Sequence, residues 1–177
     1  MPNNVKYKIA ETFYEMVRRK GIDKITVTDL VEECQISRPT FYYHFQDIYS
    51  VLEWITEQKV ETTLQQSIKA KTPEEAIRIF VQFCVRDRDV IGRMLQSQKR
   101  EYIEKIIVEG IQRYLIGMLQ HKNPEARISL SEGQLAIEFC SYGIAGICMN
   151  HSSDKDFDED KIVTRLMQLT EAVSFEN

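Results

Sequence analysis
Along nearly the whole chain, apolar residues recur every three or four positions, the spacing of an amphipathic α-helix, and not in the strict alternation of a half-buried strand. The first such segment covers residues 4–20, with Ile9, Phe13, Met16 and Val17 on one side, and Gly21 follows where a helix C-terminus favours glycine. A short second helix starts near Thr26 and Thr28, whose hydroxyls can cap free backbone amides, and turns Leu30, Val31 and Cys34 inward. Gln35 and Ile36 make a turn. Ser37 or Arg38 then caps a third helix with Pro39 in its first turn, where the missing amide hydrogen does no harm. Asp47 caps a long helix that reads through Val51, Leu52, Ile55, Val60, Leu64 and Ile68. Thr72-Pro73-Glu74-Glu75 combines a cap, a first-turn proline and an acidic first turn, and opens a helix carrying Ile77, Phe80, Val81, Cys84 and Val85. A short segment over 90–96 precedes a helix over 101–120 built on Ile103, Ile106, Ile107, Ile111, Tyr114, Leu115 and Met118. Asn123-Pro124 marks a loop, and Ser131 caps a very apolar helix over 135–149. The polar run 151–158 separates it from a last amphipathic helix with Ile162, Val163, Leu166, Met167 and Leu169. The reading is an all-α protein of about nine helices, without internal repeats or low-complexity tracts.

Composition agrees with that pattern. Only 7 Gly and 4 Pro interrupt 177 residues, far fewer than the turns of a sandwich or barrel demand, and 43% hydrophobic residues suffice for a packed core. No stretch approaches the roughly 20 apolar residues that span a bilayer, and no secretory start is visible, so a cytoplasmic protein with no membrane partner is expected. The chain divides into a small bundle, residues 1–46, and a larger helical unit, residues 47–177. The formal charge is −4 but unevenly placed: residues 1–46 hold seven basic and six acidic side chains, the remainder 16 basic and 21 acidic. Cys34, Cys84, Cys140 and Cys148 lack the paired spacing of a zinc site and read as plain buried thiols, while Cys140 and Cys148, eight apart, can share a helix face as a redox pair. His44, His121 and His151 are the only histidines, the last two in expected linkers, and no phosphate-cradling glycine loop occurs. No catalytic group, metal site or cofactor is therefore expected.

The informative stretch is residues 25–52, ITVTDLVEECQISRPTFYYHFQDIYSVL. Two short helices joined by a tight turn are the unit that lays its second helix in the DNA major groove. At 100° per residue, Phe41 and Phe45 fall on one face of that helix as a buried anchor, whereas Pro39, Tyr43 and Gln46 lie opposite, flanked by Thr40 and Tyr42. Arg38 can bond guanine bidentately, Pro39 and the tyrosine rings can meet thymine methyls, and the hydroxyls of Thr40 and Tyr42 can hold phosphates.

This stretch resembles the DNA-binding signature of the tetracycline-repressor (TetR) family, with its S-x-x-T-F-Y-x-H-F recognition helix. Ser37, Thr40, Phe41, Tyr42, His44 and Phe45 match it position by position, and the resemblance covers roughly residues 5–55. It implies contacts to phosphate or base from Thr26 and Thr28, groove contacts from Ser37, Arg38, Pro39, Thr40, Tyr42 and Tyr43, and a phosphate contact from His44. Family members usually place a lysine just inside the fourth helix, where this chain has Ile48, so one backbone contact is expected to be missing.

One such head reads only a few base pairs, so a palindromic operator in double-stranded DNA bound by a homodimer is expected, most readily as a repressor. The resemblance puts the dimer interface in the last two helices. Leu135, Phe139, Tyr142 and Ile147 supply apolar area, Ala136, Gly143, Ala145 and Gly146 allow close approach, and Ile162, Leu166 and Leu169 complete the face. Trp54, Phe80, Phe83, Met94, Tyr102, Tyr114 and Phe139 are candidates to line an apolar pocket for a small-molecule effector, and core packing explains them equally well. The segment EFCSYGIAGICMN is similar to a branch of the family in low-GC Gram-positive bacteria that includes regulators of dihydroxyacetone-kinase operons. In that branch the ligand site is small or replaced by a protein partner, which leaves a co-regulator acting mainly through protein contacts as the alternative.

Overall fold
The structure, a computed structural model, describes residues 2–122, 132–150 and 158–173. The Asn123-Pro124 loop, the Ser131 cap, His151 with most of the polar run, and the side chain of Leu169 lie outside the described residues. Nine α-helices occur among them: α1 (Pro2–Lys20), α2 (Val27–Glu33), α3 (Arg38–His44), α4 (Ile48–Ile68), α5 (Pro73–Arg86), α6 (Arg88–Met94), α7 (Arg100–Lys122), α8 (Glu132–Asn150) and α9 (Glu159–Val173). A single 3-10 turn, Ile22–Lys24, joins α1 to α2 and was not foreseen from the sequence. His121 lies in the last turn of α7, not in a linker, because the apolar periodicity of that helix runs past residue 120.

Local chemistry fixes the helix starts. The Thr26 hydroxyl accepts from the Asp29 amide at 3.1 Å while the Asp29 carboxylate accepts from the Thr26 amide at 2.9 Å, a reciprocal capping box. Ser37 caps α3 by accepting from the Thr40 amide at 3.1 Å, and Asp47 caps α4 by accepting from the Ser50 amide at 2.8 Å. Thr72 does the same for α5 through the Glu75 amide at 3.1 Å. Each such cap contributes on the order of 1 kcal/mol. Gly21, at φ 76°, supplies the left-handed residue after α1, and Gln35, at φ 53°, turns the chain between α2 and α3.

Two apolar clusters hold the helices together. In the first, Ile9, Phe13, Met16 and Val17 of α1 pack with Leu30, Phe41, Phe45, Val51 and Leu52, and the cluster continues without a break into Val90, Met94, Ile103 and Ile106 of α6 and α7. In the second, Val60 of α4 meets Phe80 of α5, Val108, Ile111 and Tyr114 of α7, and Ala145 of α8. Helix α4 belongs to both, so a shift along it is felt at each end. Helix α7 can lie close against α4 because it is bare at the crossing: a Cβ on Gly117 would fall 2.4 Å from Cδ2 of Leu64, and one on Gly110 3.0 Å from Cγ2 of Thr56. Helix α9 packs on α5, buries Val163, and is tied there by Arg78, which donates to Asp160 at 2.5 Å.

The thiols divide differently from the expectation. Cys34 is buried in the first cluster, but Cys140 is exposed, and Cys84 and Cys148 are half-buried. Cys140 and Cys148 do not share an environment: eight residues advance a helix by about 80° beyond whole turns, enough to put one in solvent and the other against the core.

Candidate nucleic-acid interface
Helix α3 has one buried edge and an open front. Phe41 is 0% exposed and Phe45 5%, both within the first cluster, whereas Tyr43 is 82% exposed and Tyr42 56%. Pro39, Arg38, Ser37 and Gln46 are exposed beside them, and Thr40 and His44 are half-buried. The division follows from the helix's shortness: with seven residues, only the two phenylalanines share the inward direction, and the ring of each stacks at an angle on a neighbour, Phe41 on Phe45 at 6.0 Å and Phe45 on Trp54 at 6.0 Å.

The polar groups on the open side are pre-arranged. The Arg38 guanidinium donates to the Thr28 hydroxyl at 2.6 Å, which brings the start of α3 and the first turn of α2 to one place. The Ser37 and Thr40 hydroxyls bond each other at 2.7 Å, and the Tyr43 and His44 rings meet edge-on at 4.9 Å. Thr26 uses one of its two acceptor sites on the cap, accepting from the Asp29 amide. The Thr26 amide, and after it the Lys20 ammonium at 3.0 Å, hold the Asp29 carboxyl below the usual carboxylate range. The sequence-derived contact residues Thr26, Thr28, Ser37, Arg38, Pro39, Thr40, Tyr42, Tyr43 and His44 thus lie on two adjoining short helices and their caps. Ile48, just inside α4, is half-buried against the first cluster and presents no cation.

Sequence patterning gave no sign of how the head is fastened to the body. Asp23, in the 3-10 turn, accepts from the Ser97 hydroxyl at 2.5 Å and from the Gln98 amide at 2.9 Å, and these bonds, Ser97 first, lower its carboxyl. On the other side Lys59 of α4 donates to Asp87 at the α5–α6 corner and sits over the Tyr14 ring of α1, 4.1 Å from its centre. The buried Tyr14 hydroxyl faces Asp87 without closing a hydrogen bond of good geometry; burial, then Asp87, pushes the phenol well above its ordinary value.

Tyr14, Lys59 and Asp87 border a cavity of about 90 Å³ that is walled mainly by α4, α5, α6 and α7, with Tyr14 as the one contribution of α1. Its wall is mainly aliphatic, with Leu52, Ile55, Val90 and Ile107, while Tyr14, Lys59 and Asp87 give it one polar corner. Of the aromatic and methionine candidates, Phe83 and Met94 line it and the others do not. Trp54 packs edge-on against Tyr7 and Phe45, Phe80 and Tyr114 stack on each other at 4.4 Å, Tyr102 bonds Glu53 near the surface, and Phe139 points outward.

On α8, Leu135, Phe139 and Tyr142 are 67%, 78% and 61% exposed, and Ile147 is also exposed. Gly143 and Gly146 have open space where a Cβ would stand. Ala145 departs from expectation: it is fully buried on the opposite edge, against the second cluster. Ile162 and Leu166 of α9 are half-buried. Among the described residues no helix is long and apolar enough to cross a membrane, and no group of three or more His, Cys, Asp or Glu could hold a metal ion.

Residues 12–53 match the family model of the bacterial regulatory proteins, tetR family. No curated protein sequence matches the chain. Among solved structures, the chain is similar to the dihydroxyacetone kinase operon activator DhaS, at 16% identity over 95% of this chain and 94% of that one, with a TM-score of 0.64. Lin0861 from Listeria innocua is 18% identical over 95% and 92%, TM-score 0.69. A bacterial regulatory protein in the tetR family from Rhodococcus is 15% identical over 98% of each chain, TM-score 0.53. Over residues 12–53 the chain therefore matches the tetR regulatory proteins, and as a whole it shares the fold of these solved structures.

Proposed function
We propose that the protein is a DNA-binding transcriptional regulator, acting as a repressor, whose homodimer sets the two α3 helices into successive major grooves of a palindromic operator. The observation that carries this reading is the orientation of α3, with its phenylalanines buried and Tyr43 82% exposed beside Arg38. Residues 1–46 form the reading head and residues 47–177 the regulatory and pairing unit. The second copy docks on the apolar side of α8 and α9. An effector occupies the cavity bordered by Tyr14, Lys59 and Asp87: a small molecule with an apolar body and one polar group turned to those three residues. Occupancy there would move α6 against α1 and so change the spacing of the two heads.

The test is a footprint on the promoter DNA beside the protein's own gene. Protection of two half-sites whose centres lie about 34–36 Å apart, or one helical turn, supports the reading. Absence of sequence-selective protection there, with the protein instead retaining another protein, favours the co-regulator. The same DNA tests the missing phosphate contact at Ile48. The variant Ile48→Lys is expected to bind more tightly and to steepen the dependence of log affinity on log salt by about 0.9 for each phosphate newly neutralised. An unchanged slope would mean that residue 48 does not face the backbone.

A further inference from the structure
Among the described residues, the Tyr14 hydroxyl is the buried polar side-chain atom that finds no hydrogen-bond partner. It belongs to the polar corner of the cavity of about 90 Å³, with Lys59 and Asp87. One ammonium holds that corner together: Lys59 donates to Asp87 and lies 4.1 Å from the centre of the Tyr14 ring. A buried donor left unpaired is costly, and this one is kept where a guest molecule would meet it. Thr56, the other hydroxyl on the wall, is already satisfied, donating to the Leu52 carbonyl at 3.0 Å.

The corner sets the charge of what it can hold. Lys59 and Asp87 neutralise each other, so a carboxylate drawn to Lys59 is repelled by Asp87, and an ammonium drawn to Asp87 is repelled by Lys59. Arg18, 5.4 Å from the Tyr14 ring, lies off the cavity wall, exposed and bonded to Glu15 at 3.5 Å, and Arg86 is likewise exposed and off the wall. The mainly aliphatic remainder of the wall gives a buried charge no other partner. A neutral hydroxyl suits the corner. Its oxygen accepts from Tyr14, and its proton goes to the Asp87 carboxylate, which keeps lone pairs beyond the one that Lys59 engages. Size follows from volume: an apolar cavity of about 150 Å³ takes a benzene ring, so about 90 Å³ has room for roughly four or five nonhydrogen atoms.

We propose that the ligand of this cavity is a small neutral aliphatic alcohol, its hydroxyl bridging Tyr14 and Asp87 and its hydrocarbon end against Ile55, Val90 and Ile107. The assignment names the chemical class of the effector proposed above and rests on the cavity being its site.

The experiment titrates the full chain, carrying carbon-13 in its isoleucine methyls, with three probes of equal size at neutral pH: 2-methylpropan-1-ol, 2-methylpropan-1-amine and propanoate. The alcohol should shift the methyl signals of the isoleucines on the wall, and the two ions should bind at least about tenfold more weakly. Tyr14→Phe should weaken the alcohol by about 2- to 12-fold, the loss of one neutral hydrogen bond. It should unfold at no lower urea concentration than the parent, because its hydroxyl had no partner to lose. Asp87→Asn leaves Lys59 unmatched, so propanoate should then bind at least as well as the alcohol. Equal binding of the three probes, no binding of the alcohol at millimolar concentration, or undiminished affinity in Tyr14→Phe would each overturn the proposal. Operator affinity, measured separately with and without the alcohol, tests the effector role: no change there removes that role and leaves the ligand assignment standing.

Discussion

Replacing Phe41 by alanine is expected to remove about 3–5 kcal/mol of stability, and operator binding with it. The ring is 0% exposed, touches Phe45 and Tyr42, and stands at the point where α3 joins a cluster that runs on into α6 and α7. Deleting it forfeits the transfer energy of a whole aromatic side chain and leaves a void that a seven-residue helix cannot close by itself, since α3 has no other wholly buried residue. Folded domains are stable by only about 5–15 kcal/mol, so the loss is a large fraction of the total. Urea unfolding followed by circular dichroism measures it as a fall in midpoint. A midpoint within error of the parent protein would show that α3 is held by something other than its phenylalanines.

The second large effect is expected at α8. Phe139 is 78% exposed in the single chain, and Leu135, Tyr142 and the bare backbone at Gly143 and Gly146 surround it. An aromatic at the centre of a paired surface commonly contributes 2 kcal/mol or more to association. The variant Phe139→Glu would place a carboxylate against its own symmetry mate in a desolvated contact, where like charges repel. Its dimer dissociation constant should therefore rise by at least about 30-fold, since each 1.4 kcal/mol is a factor of ten. Sedimentation at micromolar concentration should find a monomer where the parent is expected to sediment as a dimer, with helix content unchanged because Phe139 is exposed and belongs to neither apolar cluster. A variant that sediments like the parent would place the pairing surface elsewhere.

The helices and their caps were legible in the sequence because the signals are local. Thr26, Ser37, Asp47 and Thr72 each satisfy amides three residues away, and the inward set of α1 lies at fixed offsets along a single helix. The outward turn of Tyr43 follows from the same counting. What could not be read is which element each buried face meets. Periodicity marks Phe80 and Tyr114 as interior, but it is the crossing of α5 and α7 that stacks them on each other, away from the cavity. The cavity wall is mainly aliphatic, and of the aromatic and methionine candidates only Phe83 and Met94 belong to it. The fastening of head to body leaves no mark in the pattern for the same reason: Asp23 and Ser97 are 74 positions apart, and neither belongs to a motif.

If the tyrosine-bearing front of α3 reads base pairs, the parallel variants Tyr43→Ala and Arg38→Ala show it with least ambiguity. Neither side chain supports the core, so both proteins should unfold at the parent's midpoint within about 0.5 kcal/mol. Titrated against the footprinted operator and against scrambled DNA at one fixed salt concentration, each should lose about 1–3 kcal/mol of preference for the operator, roughly 5- to 150-fold. If both variants keep the parent's preference while remaining folded, the α3 front is not the surface that recognises DNA.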